Sequence, residues 1–136
     1  MTTILTFGVY DMLHIGHVLL FKHAKEILSE DCRLVVAVQR DESVLRYKPE
    51  AKLVYGTDER CFMVGAVRWV DEVVEYDDVD VDIQEIDFDV LAKGPDQNHE
   101  GFQRAIEWCK NHGKRVVTIP RTDGISSTML RAGKRL

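Results

Sequence analysis

The sequence predicts a single α/β domain in which helices cover both faces of a parallel sheet. Strand-like and helix-like segments alternate along the chain, as they do in such folds. Residues 34–38 read L-V-V-A-V, a continuous and mostly β-branched run that is typical of a strand buried on both faces. The length of 136 residues and the hydrophobic content of 45% suit one domain with one sizeable core, so we assign residues 1–136 to a single domain.

The first half of the chain predicts two strands and two helices. The first strand is expected at residues 3–7 and the second at 33–39. Apolar residues at helical spacing predict a helix over 15–28. A loop over 47–56 precedes a helix that Thr57 would cap and that would run to about Trp69. Its inward side chains are expected to be Phe62, Met63, Ala66 and Val67.

The second half predicts shorter elements. A short strand is expected at 72–74, followed over 75–89 by an acidic loop with one helical turn. A strand over 90–92 leads to a helix capped by Asn98, which ends before Gly113. The last strand is expected at 115–119, and Ser126 or Ser127 would cap a final short helix.

Three loops that follow strands carry the candidate functional residues. They read G-V-Y-D from Gly8, K-G-P-D from Lys93 and R-T-D-G from Arg121. Because ligands of parallel sheets bind beyond the carboxyl ends of the strands, we expect these loops to converge on one cleft. The first loop joins a strand to a helix start, where backbone N–H groups and the helix dipole favour a phosphate.

Two histidines stand at that helix start. His14 and His17 are three residues apart around Gly16, so their imidazoles share one helical face and can address one phosphate. Two other interpretations exist. The rings could be a capping and a packed histidine, or they could bind zinc with Asp11, although zinc needs more protein ligands than this pair.

Composition narrows the classes of partner. The formal net charge of −5 gives no reason to expect nucleic-acid binding, and an anion-binding protein of this charge should gather its Lys and Arg in one cleft. No segment resembles a signal peptide or a membrane span. Three well-separated cysteines suit buried thiols in a reducing compartment. We therefore expect a cytoplasmic protein that does not bind membranes.

The motifs also carry a family resemblance. T-F-G-V-Y-D-M-L-H-I-G-H resembles the HxGH signature of the nucleotidyltransferase superfamily, in the form found in its cytidylyltransferase branch. R-W-V-D-E-V at residues 68–73 and R-T-D-G-I-S-S-T at residues 121–128 are similar to two further blocks of that branch. Within this branch, the three motifs resemble those of the glycerol-3-phosphate cytidylyltransferases. The resemblance implies a Rossmann-like fold and a homodimer.

The resemblance implies a reaction in which CTP and a small alcohol phosphate, with glycerol 3-phosphate favoured, give a CDP-alcohol and pyrophosphate. The nucleophile is already an anion, so positioning, cations and hydrogen-bond donors would supply the catalysis. Mg²⁺ would arrive on the triphosphate, with no dedicated protein cage for a metal. An adenylyltransferase acting on a sugar phosphate or flavin mononucleotide, or a non-catalytic nucleotide-binding module, would use the same fold.

The resemblance extends to individual site residues. The expected catalytic residues are His14, His17, Lys48 and Arg121, with Lys52 as the alternative to Lys48. The expected nucleotide-binding residues are Gly8, Val9, Tyr10, His14, His17, Gly94, Asp96, Arg121, Thr122, Ser126, Ser127 and Thr128. The expected acceptor-binding residues are Asp11, Lys48, Arg68 and Asp71.

Structural interpretations stand beside several of these roles. Ser127 and Thr128 would also be ordinary N-caps, and Arg68 with Asp71 would also form a surface ion pair at helical spacing. Three positions depart from the branch pattern: Val9 replaces a threonine, and Pro95 and Gln97 replace an aspartate and a tryptophan in the loop expected to read the base.

Overall fold

The computed structural model describes residues 1–27 and 31–120. Within them lie five strands, β1 (Thr2–Gly8), β2 (Cys32–Gln39), β3 (Glu72–Tyr76), β4 (Val90–Lys93) and β5 (Arg115–Thr118). Five helices accompany them: α1 (Ile15–Ile27), α2 (Asp41–Tyr47), α3 (Thr57–Gly65), α4 (Val79–Asp82), which continues into a 3₁₀ turn (Ile83–Glu85), and α5 (Glu100–Asn111). The strands form one parallel sheet in the order β3-β2-β1-β4-β5. The predicted Rossmann-like architecture is confirmed.

The core lies on both faces of this sheet, and alternate residues of each strand choose the face. In β2, Leu34, Val36 and Val38 pack on the side of α1 and α3, whereas Val35 and Ala37 pack on the side of α4 and α5. All five side chains are buried. Burial on both sides explains why the run L-V-V-A-V is apolar at every position rather than at every second one.

Most predicted elements are present, with shifted ends. The short helix α2 was not predicted, because seven residues carry too little periodicity to be recognised. Helix α3 ends at Gly65 rather than near Trp69. The acidic segment contains the expected helical turn, α4, after a strand that extends to Tyr76. The predicted final helix and the residues 28–30 lie outside the described residues.

Two side-chain predictions are wrong. His99, not Asn98, is the N-cap of α5, and its ring Nδ1 accepts the N–H of Phe102 at 3.4 Å. Phe62, which is 80% exposed, and Ala66, which is exposed just after the end of α3, do not face inward as predicted. The inward positions of α3 are Arg60 and Val64, four residues apart, and a residue two positions from Arg60 points to the opposite side of the helix.

Arg60 is a charged side chain with no exposed surface. Its guanidinium donates to the carbonyl oxygens of Val9 and Gln39, both at 2.8 Å, and of Tyr55 at 3.1 Å. It also forms an ion pair with Asp41, with 2.5 Å between nitrogen and oxygen. Partial burial opposes ionisation of Asp41, but the hydrogen bonds from Arg60 and from the Thr57 amide hold its pKa below the usual value.

These contacts make Arg60 the junction of four separate segments. It joins the turn after β1, the end of β2, the start of α2 and the loop that precedes α3. Each of these segments reaches the carboxyl edge of the sheet. The geometry of that edge therefore depends on one side chain whose donors are satisfied by three carbonyls and a carboxylate.

Replacing Arg60 with methionine should lower the free energy of unfolding by about 3–5 kcal/mol, because Asp41 and three carbonyl oxygens lose a buried cationic donor. Urea denaturation followed by circular dichroism measures the change. Arg104→Met is the matched control, since Arg104 is exposed and forms an ion pair with Asp80 at the surface; its effect on stability should be far smaller, because solvent screens exposed ion pairs. Equal losses in the two variants would contradict the prediction.

Candidate active site

A cleft of about 1150 Å³ opens at the carboxyl edge of the sheet. The turn after β1, the end of β2, the segment from Tyr47 to Leu53, the β4–α5 loop and the residues after β5 all line it. Convergence of the strand-end loops is thus confirmed for the loops that begin at Gly8 and Lys93. The predicted residues that line the cleft are Gly8, Val9, Tyr10, Asp11, His14, His17, Lys48, Lys52, Gly94 and Asp96.

The turn between β1 and α1 is built on two residues with left-handed backbone conformation. Tyr10 has a φ of 57° and Met12 a φ of 53°, a region that non-glycine residues enter at a cost of about 1 kcal/mol or more. The Tyr10 ring folds back over Gly8, where a Cβ atom would lie 2.5 Å from it. Gly8 is therefore needed for steric reasons, in addition to its place beside the cleft.

The rings of His14 and His17 stack at the start of α1. Their centroids are 3.9 Å apart and their planes are inclined by 24°. The Gly16 N–H donates to Nδ1 of His14 at 3.0 Å, and the His14 N–H donates to Nδ1 of His17 at 3.3 Å. Because each Nδ1 accepts, hydrogen-bond geometry assigns the proton of a neutral ring to Nε2.

Gly16 makes this arrangement sterically possible. A Cβ atom at that position would lie 2.7 Å from the His14 ring, closer than side chains tolerate. The glycine between the two histidines thus has a local explanation: it lets the first ring lie against the helix start and accept a backbone N–H.

Burial is the main influence on His17. Burial and, to a smaller extent, the neighbouring His14 together lower the pKa of the imidazole from 6.5 to about 4. Tyr10 contributes to this burial, since its ring meets the His17 ring edge to face at 5.2 Å. His17 is therefore neutral at pH 7 with its proton on Nε2, so its ring can donate a hydrogen bond but carries no fixed positive charge.

Asp11 holds a loop that carries both candidate lysines. Its two carboxylate oxygens accept the N–H groups of Val54 at 2.9 Å and of Tyr55 at 3.0 Å, and only 4% of the residue is exposed. Lys48 and Lys52 lie just before this anchor, and both line the cleft. The geometry gives Asp11 a defined structural task, and its acceptor-binding role stays a prediction.

The β4–α5 loop forms a tight turn at the cleft. The Gln97 N–H donates to the Gly94 carbonyl at 3.2 Å, which places Pro95 and Asp96 at the centre of the turn. Among the described residues, a Cβ atom at Gly94 would meet no atom within 4 Å apart from those of its chain neighbours. Asp96 is exposed and lines the cleft.

Arg68 and Asp71 lie away from this cleft. Asp71 immediately precedes β3, at the amino edge of the sheet, where its Oδ2 atom accepts from Lys25 Nζ and from the Leu34 N–H, both at 2.8 Å. The Arg68 guanidinium lies 5.4 Å from the centre of the Trp69 ring. Within one chain, the predicted acceptor-binding role of Arg68 and Asp71 therefore has no geometric support.

The charge of the cleft differs from the expectation of a cationic site. Among the described residues its lining contains three cations, Lys48, Lys52 and Arg104, and five carboxylates, Asp11, Glu50, Asp80, Asp96 and Glu100. The Asp80 carboxylate is paired with Arg104, so part of this negative charge is neutralised locally. In the described part of the site, the groups that suit a phosphate are the histidine pair, the loop lysines and the start of α1.

Several predicted residues lie outside the described part of the chain. They are Arg121, Thr122, Ser126, Ser127 and Thr128. The last described residues before them, Ile119 and Pro120, line the cleft. Sequence patterns did not identify two further residues. Arg60 could have been found as a charged residue four positions before the inward Val64. Gln97 was noted only because it differs from the tryptophan of the branch pattern.

Across residues 1–27 and 31–120, no group of three or more His, Cys, Asp or Glu side chains is placed to hold a metal ion. No helix in the same ranges combines the length and apolar composition needed to cross a membrane.

An open parallel sheet with a glycine turn, a histidine pair and a cleft at its carboxyl edge defines an α/β protein equipped for phosphate-bearing ligands. The sequence over residues 5–133 matches the family described as Cytidylyltransferase-like. The chain belongs to this family, which makes it a member of the nucleotidyltransferases.

Three relatives illustrate the similarity. The chain is 31% identical to the glycerol-3-phosphate cytidylyltransferase of Staphylococcus aureus, over 96% of its own length and 93% of the relative. It is 36% identical to the FAD synthase of Thermococcus kodakarensis, over 86% of its length and 78% of the relative. It is also 36% identical to the bifunctional protein HldE of Gluconobacter oxydans, where it spans 96% of itself and only 27% of the relative.

A solved structure supports the fold. The lipopolysaccharide core biosynthesis protein of Thermoplasma volcanium superimposes with a TM-score of 0.74, covering 90% of this chain and 99% of that protein. The sequences are 23% identical, so the likeness concerns the fold alone.

The low pKa of His17 predicts a specific dependence of stability on pH. The unfolded chain takes up a proton near pH 6.5, whereas the folded chain does so near pH 4. The free energy of unfolding should therefore fall as the pH drops below about 6.5, and the contribution of His17 to this fall should reach about 2 kcal/mol between pH 7 and pH 5. Urea denaturation at several pH values measures the slope.

His17→Gln should remove this part of the slope, and His23→Gln should keep it, because His23 is exposed on the same helix. An identical slope for wild type and His17→Gln would show that His17 titrates normally.

Proposed function

We propose that this protein transfers a cytidylyl group from CTP to a small alcohol phosphate, releasing pyrophosphate and forming a CDP-alcohol. Glycerol 3-phosphate is the favoured acceptor. The observation that carries the proposal is the stacked pair of His14 and His17, in which backbone N–H groups hold each Nδ1 and leave the proton of each neutral ring on Nε2. The similarity to glycerol-3-phosphate cytidylyltransferases along nearly the whole chain supports the choice of substrates.

In the proposed reaction, a phosphate oxygen of the acceptor attacks the α-phosphorus of CTP. A new bond forms between this oxygen and the α-phosphorus, and the bond from the α-phosphorus to the bridging oxygen of the β-phosphate breaks. Pyrophosphate leaves with the electron pair. No proton has to be removed from the nucleophile, so catalysis is the placement of donors around oxygens on which charge develops.

The residues at the cleft divide this task. His14 and His17 donate through Nε2 to oxygens of the triphosphate, and neutral His17 does so without requiring a low pH. Lys48 or Lys52 supplies positive charge from the loop that Asp11 holds. Arg121 and the hydroxyls of Thr122, Ser126, Ser127 and Thr128 contact the nucleotide in this proposal, in keeping with their place in the family motif.

Mg²⁺ enters this proposal as a partner of the triphosphate, whose oxygens suit a small hard cation that keeps several of its waters. The ion supplies neutralisation of the phosphate charge when it is bound. A homodimer and a cytoplasmic location remain predictions from the sequence.

A second candidate function is adenylyl transfer. Its support is specific: the chain also matches an FAD synthase over most of that relative, and the base-reading loop contains Pro95 and Gln97 in place of the aspartate and tryptophan of the branch pattern. Both functions use the same cleft, and they differ in the nucleobase that the β4–α5 loop accepts.

His14→Ala and His17→Ala should each lower kcat about a hundredfold or more, because each removes a donor to charged oxygens in the transition state. Pyrophosphate release from CTP and glycerol 3-phosphate measures turnover, and circular dichroism verifies the fold. The matched control is His23→Ala, an exposed position on the same helix, which should keep kcat within twofold. Near-normal turnover in both site variants would reject the catalytic assignment.

The nucleotide preference should be CTP over UTP by about tenfold to a hundredfold. The Asp96 carboxylate can accept from the cytosine amino group, whereas uracil presents a carbonyl there and leaves two acceptors facing each other. Calorimetric titration with CTP, UTP and ATP measures the order.

Asp96→Asn should narrow the difference between CTP and UTP, because the amide can also donate. Asp87→Asn is the control, since Asp87 is an exposed carboxylate outside the cleft lining and should leave the ratio unchanged. Better binding and turnover with ATP than with CTP would replace the cytidylyltransferase proposal with the adenylyltransferase one.

A further inference from the structure

The side-chain amide of Gln97 connects two loops of the cleft. Its Nε2 donates to the carbonyl oxygen of Phe7 at 2.7 Å, and its Oε1 accepts the N–H of Gly94 at 3.0 Å. Phe7 belongs to β1 and directly precedes the glycine turn of the histidine pair. Gly94 begins the loop after β4. One primary amide therefore spans from the phosphate turn to the base-reading loop.

This bridge stands where the sheet separates. The pairing of β1 with β4 comprises Ile4 with Val90 and Leu5 with Leu91, whereas β1 pairs with β2 along its whole length to Gly8. Continued in the same register, Phe7 would lie beside Lys93. At this level the two strands no longer pair with each other, and the cleft opens between their ends.

The side-chain amide of Gln97 bridges the ends of β1 and β4, as a backbone peptide group would between paired strands. It donates to a carbonyl of β1, and it accepts an N–H from the residue that follows β4. The N–H of Gln97 itself closes the turn onto the Gly94 carbonyl. Pro95, at the second position of that turn, has its φ fixed by its ring. Three hydrogen bonds and a proline thus define where Asp96 stands.

We propose that Gln97 is a positioning residue of the nucleotide site, which sets the base-reading loop at a fixed distance from the phosphate turn. This rests on the proposed function, since it assigns the base to the β4–α5 loop and the triphosphate to the histidine pair. On this view, Pro95 and Gln97 are not losses from the branch pattern. They fix the loop by turn chemistry and an amide bridge.

The test separates the base from the phosphates. Gln97→Met keeps the length of the side chain and removes both hydrogen bonds. Calorimetry should show that the dissociation constant of CTP rises about tenfold, as for the loss of a pair of hydrogen bonds. The dissociation constant of inorganic tripolyphosphate, which has phosphates but no base, should stay within twofold of wild type. The ratio of CTP to UTP affinity should shrink.

Gln84→Met is the matched control. Gln84 is exposed, lies outside the cleft lining and also donates its amide to a backbone carbonyl, that of Asp80 at 2.9 Å. Its CTP and tripolyphosphate affinities should both equal those of wild type.

The proposal is overturned if Gln97→Met leaves the CTP affinity unchanged, or if it lowers the affinities for CTP and for tripolyphosphate equally. If the wild-type protein binds ATP best, only the cytidylyltransferase proposal is overturned. The role of Gln97 is then tested by comparing the affinities of Gln97→Met for ATP and for tripolyphosphate. If the wild-type protein binds no nucleotide more tightly than it binds tripolyphosphate, both the proposed function and the proposed role of Gln97 are overturned.

Discussion

The buried guanidinium of Arg60 is the interaction on which the arrangement of the cleft depends. Parallel strands end with carbonyls that have no further ladder partner, and here Val9 and Gln39 present such carbonyls to one cation. Asp41 balances its charge and Tyr55 takes the remaining bond. A buried charge of this kind is stable only when every donor has a partner. The loops around it are therefore held to one relative placement by an electrostatic requirement rather than by apolar packing.

Two side chains, Arg60 and Gln97, connect the segments that surround the cleft. Arg60 joins the turn after β1 to the end of β2 and the start of α2. Gln97 joins Phe7, in the strand before that turn, to Gly94, the residue after β4. The turn itself contains two left-handed residues, Tyr10 and Met12, whose conformational cost is offset by these surroundings. Strain, a buried cation and an amide bridge occur together at one edge of the sheet, whereas at the opposite edge Asp71 pairs with Lys25 and accepts the Leu34 N–H.

Sequence patterns predicted those features that depend on many residues at once. The run around Val36 indicated a strand covered on both faces, and the order of elements indicated a parallel sheet whose loops meet at one edge. The patterns failed where a single side chain decides. The apolar pattern placed Phe62 on the inward face of α3, but Arg60 occupies that face and Phe62 is exposed. At the start of α5, the N–H of Phe102 donates to the ring nitrogen of His99, so His99 and not Asn98 is the cap. The bond from Gln97 to Phe7 joins residues ninety positions apart, which no local pattern can indicate.

The carboxylate of Asp11 has a consequence for how such a site can change over evolutionary time. It grips the chain at Val54 and Tyr55, and the Lys48 N–H is bound at the other end by the carbonyl of Val44. The stretch between these two anchors lines the cleft but contributes no strand or helix. Insertions, deletions and substitutions there would change the lining of the cleft while both attachment points stay in place. A chain with this fold can thus vary the lining of its cleft through a few residues of one tethered loop, without disturbing the sheet or the histidine pair.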